Sequence, residues 1–444
     1  MRKKNNNFLV INNGLKSQNG HYYETGVSVC QACNNLGLNA CMATNKAFAV
    51  SKNNINPFSF YPVFEVDHWQ SDLLNTIDLN NNLNTNFHFR FKNKIKKLCN
   101  FVWKPFLFLE LKNKGFSEEF RWMKSFYANL KDFLLPFKDR PSVVFFPTAH
   151  ARELFAVVEF NQKFNENNKF SFHLEFRHPI KTIPSDCNYE YWNKYRLLND
   201  VWFNHIATPL NNNIFLYCDT PELAKEYEDE FKFEFGTLPI PFRSFLLEKK
   251  HSHEEKLILG YFGDARDEKG FEHLPIIHKY FSQQFDLQGK YKFLIQCTNA
   301  NYWDGGRKVL NYFKKVNPEE YELLFLEKPM TDIEYYDNFS KADICLLPYD
   351  PGIYRSRSSG CLSEAIALGI PSVVPNNTWM ANQLPKNCGG FFNNITELCE
   401  QSYEVVKRYN FYLNNMKIFK QAWIAKNNPE ELVKKIISKS FIQA

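Results

Sequence analysis

Ala342-Asp-Ile-Cys-Leu-Leu-Pro-Tyr-Asp-Pro-Gly-Ile-Tyr-Arg-Ser-Arg-Ser-Ser-Gly-Cys-Leu-Ser-Glu-Ala-Ile-Ala-Leu-Gly-Ile-Pro-Ser-Val-Val-Pro375 reads as a strand, a loop, a short helix and a second strand. The apolar run Ile344–Leu347 stops at Pro348, and a loop carrying Tyr354, Arg355 and Arg357 follows. Ser358 or Ser359 suits the N-cap of a helix that runs to Leu368, and Gly369 suits its C′ position. The first turn of such a helix offers free backbone N–H groups and a positive dipole end, which together favour a diphosphate. Arginine in the preceding loop adds charge-assisted bonds. Glu364 lies one turn further in, where a carboxylate can accept bonds from both hydroxyls of a ribose. On composition alone the stretch also fits an ordinary strand–helix–strand unit with an exposed arginine loop.

The same alternation extends in both directions. Phe8–Ile11, Ser142–Phe146, Phe172–Phe176 and Ile214–Tyr217 are short apolar runs that read as strands. Tyr22–Leu36 and the segment from Leu154 read as helices, and Thr220-Pro221 suits an N-cap followed by the first helical position. Leu238-Pro-Ile-Pro-Phe242 breaks the pattern with extended backbone, and the polar stretch Glu248–Lys256 follows. A second series starts at Leu257, with strands at Lys292–Cys297, Glu322–Leu326, Ile344–Leu347 and Ser372–Val374. Strands alternating with helices predict parallel sheets covered on both faces. The expectation is an α/β protein of two Rossmann-like, doubly wound domains facing each other across a cleft. Residues 1–242 form the first, 257–402 the second, and 403–444 a helical tail.

Composition narrows the function classes. With 444 residues and 44% hydrophobic side chains the chain has ample material for packed cores,. The net charge of +6 is uneven: residues 1–150 hold 19 Lys and Arg against 10 Asp and Glu, and the remainder holds 35 against 38. Arg90–Lys114 contains eight basic residues and one acid, Glu110, interleaved with Phe91, Phe101, Trp103, Phe106 and Phe108. Such a stretch is either a solvated helix pair or a patch that rests on anionic lipid headgroups or meets an anionic acceptor. No nucleic-acid-binding motif accompanies it. No apolar run is long enough to span a membrane, and the run after the basic N-terminus is too short for a signal core. Eleven cysteines without framework spacing predict reduced thiols and a cytoplasmic location, with Cys30-x-x-Cys33 serving helix packing,.

Ala342-Asp343, Pro348, Glu364-Ala365, Gly369, Pro371 and Val373-Val374 match, in order and spacing, the donor-binding domain of GT-B glycosyltransferases of the "glycosyl transferases group 1" type. The resemblance makes Glu364 a ribose ligand and Ser358, Ser359 and Gly360 part of the donor site. The family carries a Glu eight residues earlier that touches the donor sugar. Here that position is Ser356, and Tyr354, Arg355 and Arg357 stand in for it. Gly260-Tyr-Phe-Gly-Asp-Ala-Arg-Asp-Glu-Lys-Gly-Phe271 resembles the family's glycine loop, with Gly263, Lys269 and Gly270 matching. Arg266 takes the part of the phosphate-binding Arg, because Asp264 directly follows the glycine. Asn13–Tyr23 resembles the flexible loop that faces the donor, with Gly20 allowing close approach.

In the family a His after an N-terminal strand approaches the reacting sugar, and His178 and His150 are the two candidates here. The resemblance therefore implies glycosyl transfer, with retention, from a nucleotide-sugar substrate to a polysaccharide, lipid-linked glycan or similar acceptor. It implies no cofactor, and no D-x-D metal motif occurs in the chain. Two other readings share the fold: a sugar-nucleotide epimerase, and a nucleotide-sugar-binding protein without activity.

Overall fold

The computed structural model describes residues 6–18, 21–49, 57–67, 110, 112–113, 117–180, 198–206, 210–241, 256–324 and 330–440. The first unit runs β1 (Asn7–Asn12), α1 (His21–Asn35), β2 (Asn39–Asn45), β3 (Ser59–Phe64), α2 (Ser117–Leu134), β4 (Ser142–Phe146), α3 (Ala151–Phe164), β5 (Phe170–Phe176), β6 (Ile214–Cys218), α4 (Pro221–Phe231) and β7 (Phe235–Thr237). Its seven strands lie in the order β3-β2-β1-β4-β5-β6-β7, and every neighbouring pair is parallel.

The second unit runs β8 (Leu257–Tyr261), α5 (Leu274–Ser282), β9 (Tyr291–Gln296), α6 (Asp304–Phe313), β10 (Tyr321–Leu324), α7 (Asp332–Phe339), β11 (Ile344–Leu346), α8 (Gly360–Leu368), β12 (Ser372–Pro375), α9 (Trp379–Gln383), β13 (Gly389–Phe392) and α10 (Ile395–Lys407). Its sheet, β10-β9-β8-β11-β12-β13, is also wholly parallel. The two doubly wound units expected from the alternation are both present.

Parallel strands covered on both faces are buried along their whole length. β1, β4 and β5 show no exposed position. One face of the first sheet packs Phe126, Leu130, Leu154 and Phe160 from α2 and α3. The other packs Val27, Cys30 and Cys33 of α1. Burial pushes the Cys30 thiol well above its ordinary value, so it packs as a small apolar group,. No described cysteine is in a disulfide.

Two helices complete the chain, α11 (Tyr409–Lys426) and α12 (Pro429–Lys439). Met416 and Trp423 of α11 belong to the core of the second unit. α12 crosses back, and Leu432, Val433, Ile436 and Ile437 join the α1 core of the first. Its end is anchored at Ser440, whose hydroxyl lies 2.9 Å from His173 Nε2 and 3.2 Å from Ser171 Oγ. Burial lowers His173 to about 3, so the ring is neutral and its other nitrogen meets Tyr217 Oη at 3.1 Å,. Among the described residues no helix is long and apolar enough to cross a membrane.

Candidate functional site

In the first sheet the winding direction reverses between β1 and β4, and in the second between β8 and β11. A crevice opens beyond the carboxyl ends of strands at such points, and ligands of doubly wound folds bind there. β4 leads to Thr148–His150, β8 to Gly263, and β11 to the loop over 349–359. Most of the residues singled out in the sequence are thereby gathered at two facing strand ends.

On the second unit, Ser359 caps α8 by accepting the Leu362 N–H at 3.2 Å, and Gly369 ends the helix at φ 79°. Gly360 opens the helix in an exposed position. Glu364 sits one turn in, half-buried, and accepts hydrogen bonds from Tyr335 Oη at 2.6 Å and Tyr336 Oη at 3.3 Å. A carboxylate has about four lone-pair sites, so it can accept from several donors at once. Lys269 turns its ammonium back toward Gly263, where a Cβ would stand 2.5 Å from Nζ. Cys361, in the first turn of α8, meets the carbonyl of Phe262 at 3.4 Å, and Gly263 is the next residue, so the Lys269 charge lies near that turn and opposes the burial that raises the Cys361 thiol. Gly263 donates its N–H to Gln296 Oε1 at 2.7 Å.

Arg266 lies 2.6 Å from Glu268 Oε1 and 3.9 Å from Asp264 Oδ2, so acidic neighbours partly balance its charge. Tyr354 is buried in the core, its ring tilted against that of Tyr349 with centroids 4.5 Å apart. Arg357 lies over the Tyr354 ring, and Arg355 is exposed.

On the first unit, the His150 and His178 rings stack in parallel, with centroids 5.4 Å apart. His150 is buried and precedes α3, and its N–H donates to Glu153 Oε2 at 3.2 Å. His178 is half-buried, and its carbonyl accepts the Tyr227 hydroxyl at 3.0 Å. Gly20 and Lys92, Lys94, Lys96 and Lys97 of the basic stretch lie outside the described residues. So does most of the rest of that stretch, apart from 110, 112 and 113.

Sequence reasoning missed a charged group between the two units. Glu175, at the end of β5, accepts from Arg177 Nη2 at 2.8 Å, and Asp219 directly follows β6. Burial lifts Glu175 to about 7, against the lowering by Arg177. Burial also raises Asp219, opposed first by Arg177, then by the Ser358 hydrogen bond and by Arg357. The sequence signals were a lone acid inside the apolar run of β5 and an acid immediately past a strand end.

A carboxyl raised in the fold contributes its stability fully below its unfolded value, and that stability is lost as pH rises through about 7,. Glu175→Gln, neutral at every pH, is expected to gain stability relative to wild type between pH 5 and pH 8. Chemical denaturation at each pH measures it, and a pH-independent difference would sink the assignment.

Among the described residues, hydrogen bonds cross between the units near these groups. Thr220 Oγ1 donates to the Ser356 carbonyl at 2.6 Å, and Ser356 Oγ to Glu226 Oε2 at 2.9 Å. Ser358 Oγ donates to Asp219 Oδ2 at 2.5 Å, and Asn382 Nδ2 to Glu222 Oε1 at 2.7 Å. Among the described residues no group of three His, Cys, Asp or Glu side chains is placed to hold a metal ion.

No protein-family model matches the chain, and no curated protein sequence matches it. Solved structures do. A sucrose-phosphate synthase from Thermosynechococcus elongatus superposes with a TM-score of 0.64 at 13% identity, covering 97% of both chains. A structure described as "Trehalose-6-phosphate from E. coli bound with UDP-2-fluoro glucose" gives 0.63 at 11% identity, covering 98% of this chain and 99% of the other. WaaG, a glycosyltransferase involved in lipopolysaccharide biosynthesis, gives 0.58 at 11%, covering 98% and 100%. With two parallel sheets, paired crevices and end-to-end superposition on these proteins, the chain has the GT-B glycosyltransferase fold.

Proposed function

We propose that the chain moves a sugar from a nucleotide-sugar donor to an acceptor hydroxyl across the cleft. The observation that carries this reading is Glu364 lying one turn inside α8, behind a first turn that faces the Lys269 ammonium. In this reading the ribose bonds Glu364, and the diphosphate meets Lys269 and the N–H groups that open α8. Fixed dipoles and cations aimed at a leaving diphosphate need no reorganisation as its charge develops. Arg266 and Arg357 add positive charge nearby. His178, with His150 stacked on it, faces the reacting sugar from the first unit. The reaction is retaining and the nucleotide-sugar is a substrate, so no cofactor is required.

A neighbour bound to UDP-2-fluoro glucose makes uridine nucleotides the first probes. Calorimetry against UDP, GDP, ADP and CMP is expected to find one tight binder, whose sugar conjugates are then turned over. Absence of binding by all four would overturn the reading. Epimerisation of the donor without acceptor would replace transfer with the epimerase reading. Transfer is expected to persist in excess EDTA, and loss restored by Mn²⁺ or Mg²⁺ would overturn the metal-free mechanism. The basic Arg90–Lys114 stretch supports a cytoplasmic enzyme that touches an anionic bilayer. Each basic residue near such a surface is worth about 1 kcal/mol, screened by salt. Co-sedimentation with anionic vesicles at low salt, released at high salt, tests that contact.

A further inference from the structure

The site just proposed is built from two units, and α4 of the first unit touches both halves. Glu226, in the middle of α4, is buried. Its Oε1 accepts the Ile180 N–H at 2.9 Å, two residues beyond His178. Its Oε2 accepts the Ser356 hydroxyl at 2.9 Å, three residues before the N-cap of α8. The next residue, Tyr227, donates to the His178 carbonyl. At the start of the helix, Thr220 Oγ1 accepts the Leu223 N–H while donating to the Ser356 carbonyl. Asp219 takes the Ser358 hydroxyl.

We infer that Glu226 is a positioning residue that joins the backbone carrying His178 to the loop that leads into α8. The inference rests on the transferase reading for its consequence and on this geometry for its existence. A buried carboxylate that accepts from Ile180 on one oxygen and from Ser356 on the other helps to hold both donors in place, because loss of either leaves a polar group unmade away from water,. It also accounts for Ser356. A carboxylate at that position would meet Glu226 as a like charge, whereas a hydroxyl supplies the proton that Glu226 accepts. Serine at 356 and glutamate at 226 are therefore a matched pair. Binding in the second unit, by ordering the 356–358 loop, is felt at the backbone beyond His178 through Glu226.

The test is amide exchange at Ile180 in the full chain, free and with UDP, for wild type, Ser356→Ala, Glu226→Ala, Glu226→Gln and the double alanine variant. Ser356 belongs to the other unit, so a purely local role for Glu226 predicts no change at Ile180 on Ser356→Ala. The linkage predicts that Ser356→Ala speeds exchange there by about ten-fold or more, the worth of one hydrogen bond to a charged group. The double variant is expected to match Glu226→Ala alone. Glu226→Gln can accept from Ile180 and donate to Ser356 Oγ, so it is expected to restore wild-type exchange within two-fold or so. UDP is expected to slow Ile180 exchange in wild type and not in Ser356→Ala, while still binding both with similar affinity. Wild-type exchange at Ile180 in ligand-free Ser356→Ala would overturn the inference, as would a Gln variant no better than Ala. Failure of UDP to bind wild type counts against UDP as the nucleotide, and the ligand-free comparison decides the linkage by itself.

Discussion

Glu364→Ala is expected to weaken nucleoside diphosphate binding ten-fold or more while leaving the chain folded. A hydrogen bond to a charged group is worth about 1.5–3 kcal/mol, and one carboxylate spanning a ribose makes two. The structure supplies the reason for retained folding. Glu364 is half-buried on a short helix whose caps are elsewhere, at Ser359 and Gly369. Its present partners include the hydroxyls of Tyr335 and Tyr336. Glu364→Gln keeps an acceptor for one tyrosine and loses the charge, so its affinity is expected to fall between wild type and alanine. Calorimetric titration with the nucleotide found in the screen measures all three. Equal affinity of wild type and the alanine variant would remove Glu364 from the site.

The second large effect is expected at Gly270. This residue has φ 65° and lies so close to the strand end of β11 that a Cβ would stand 1.9 Å from the Pro348 carbonyl oxygen. The left-handed conformation costs an L-residue about 1–2 kcal/mol. Overlap with backbone adds about 1–3 kcal/mol, since neither chain can yield as a flexible side chain would. Gly270→Ala is therefore expected to lose about 3 kcal/mol of folding stability and to displace Lys269 from the first turn of α8. Gly289 provides the control, with φ 70° and nothing near its would-be Cβ. Gly289→Ala is expected to lose only the conformational part. Urea denaturation midpoints compare them, and equal losses would mean that contact with Pro348 is unimportant.

The parts of this molecule that could be read in the sequence are those where local chemistry and tertiary packing agree. The α8 segment shows this: a serine cap, nine helical residues, a left-handed glycine and a strand after Pro371 appear where the residue types placed them. Thr220 and Pro221 open α4 as expected.

The missed strands lack such agreement. β2, Asn-Ala-Cys-Met-Ala-Thr-Asn, has no sustained apolar run, yet it is buried because its neighbours pair with it on both sides. β3 carries Pro62, which suits only an edge, and an edge is where it lies,. The site divides in the same way. Lys269, Glu364 and the arginine loop belong to local motifs. Glu226, Asp219 and Glu175 acquire meaning only through partners far away in the chain, such as Ser356 at a separation of 130 residues. Tyr354 has an aromatic side chain in the right loop, and packing uses it for the core.

The return of α12 has a consequence for biosynthesis. Val27, Cys30 and Cys33 on α1 share a core with Leu432, Val433, Ile436 and Ile437. The first unit therefore emerges from the ribosome with one apolar helix face still waiting for its cover. Roughly 200 further residues must be made first, some 10–40 seconds at ordinary elongation rates of about 5–20 residues per second. During that interval the second unit folds, while the α1 face is open to chaperones and to neighbouring nascent chains. Ribosome-held chains stopped before residue 429 should be captured there, and those carrying α12 clear of the exit tunnel should not.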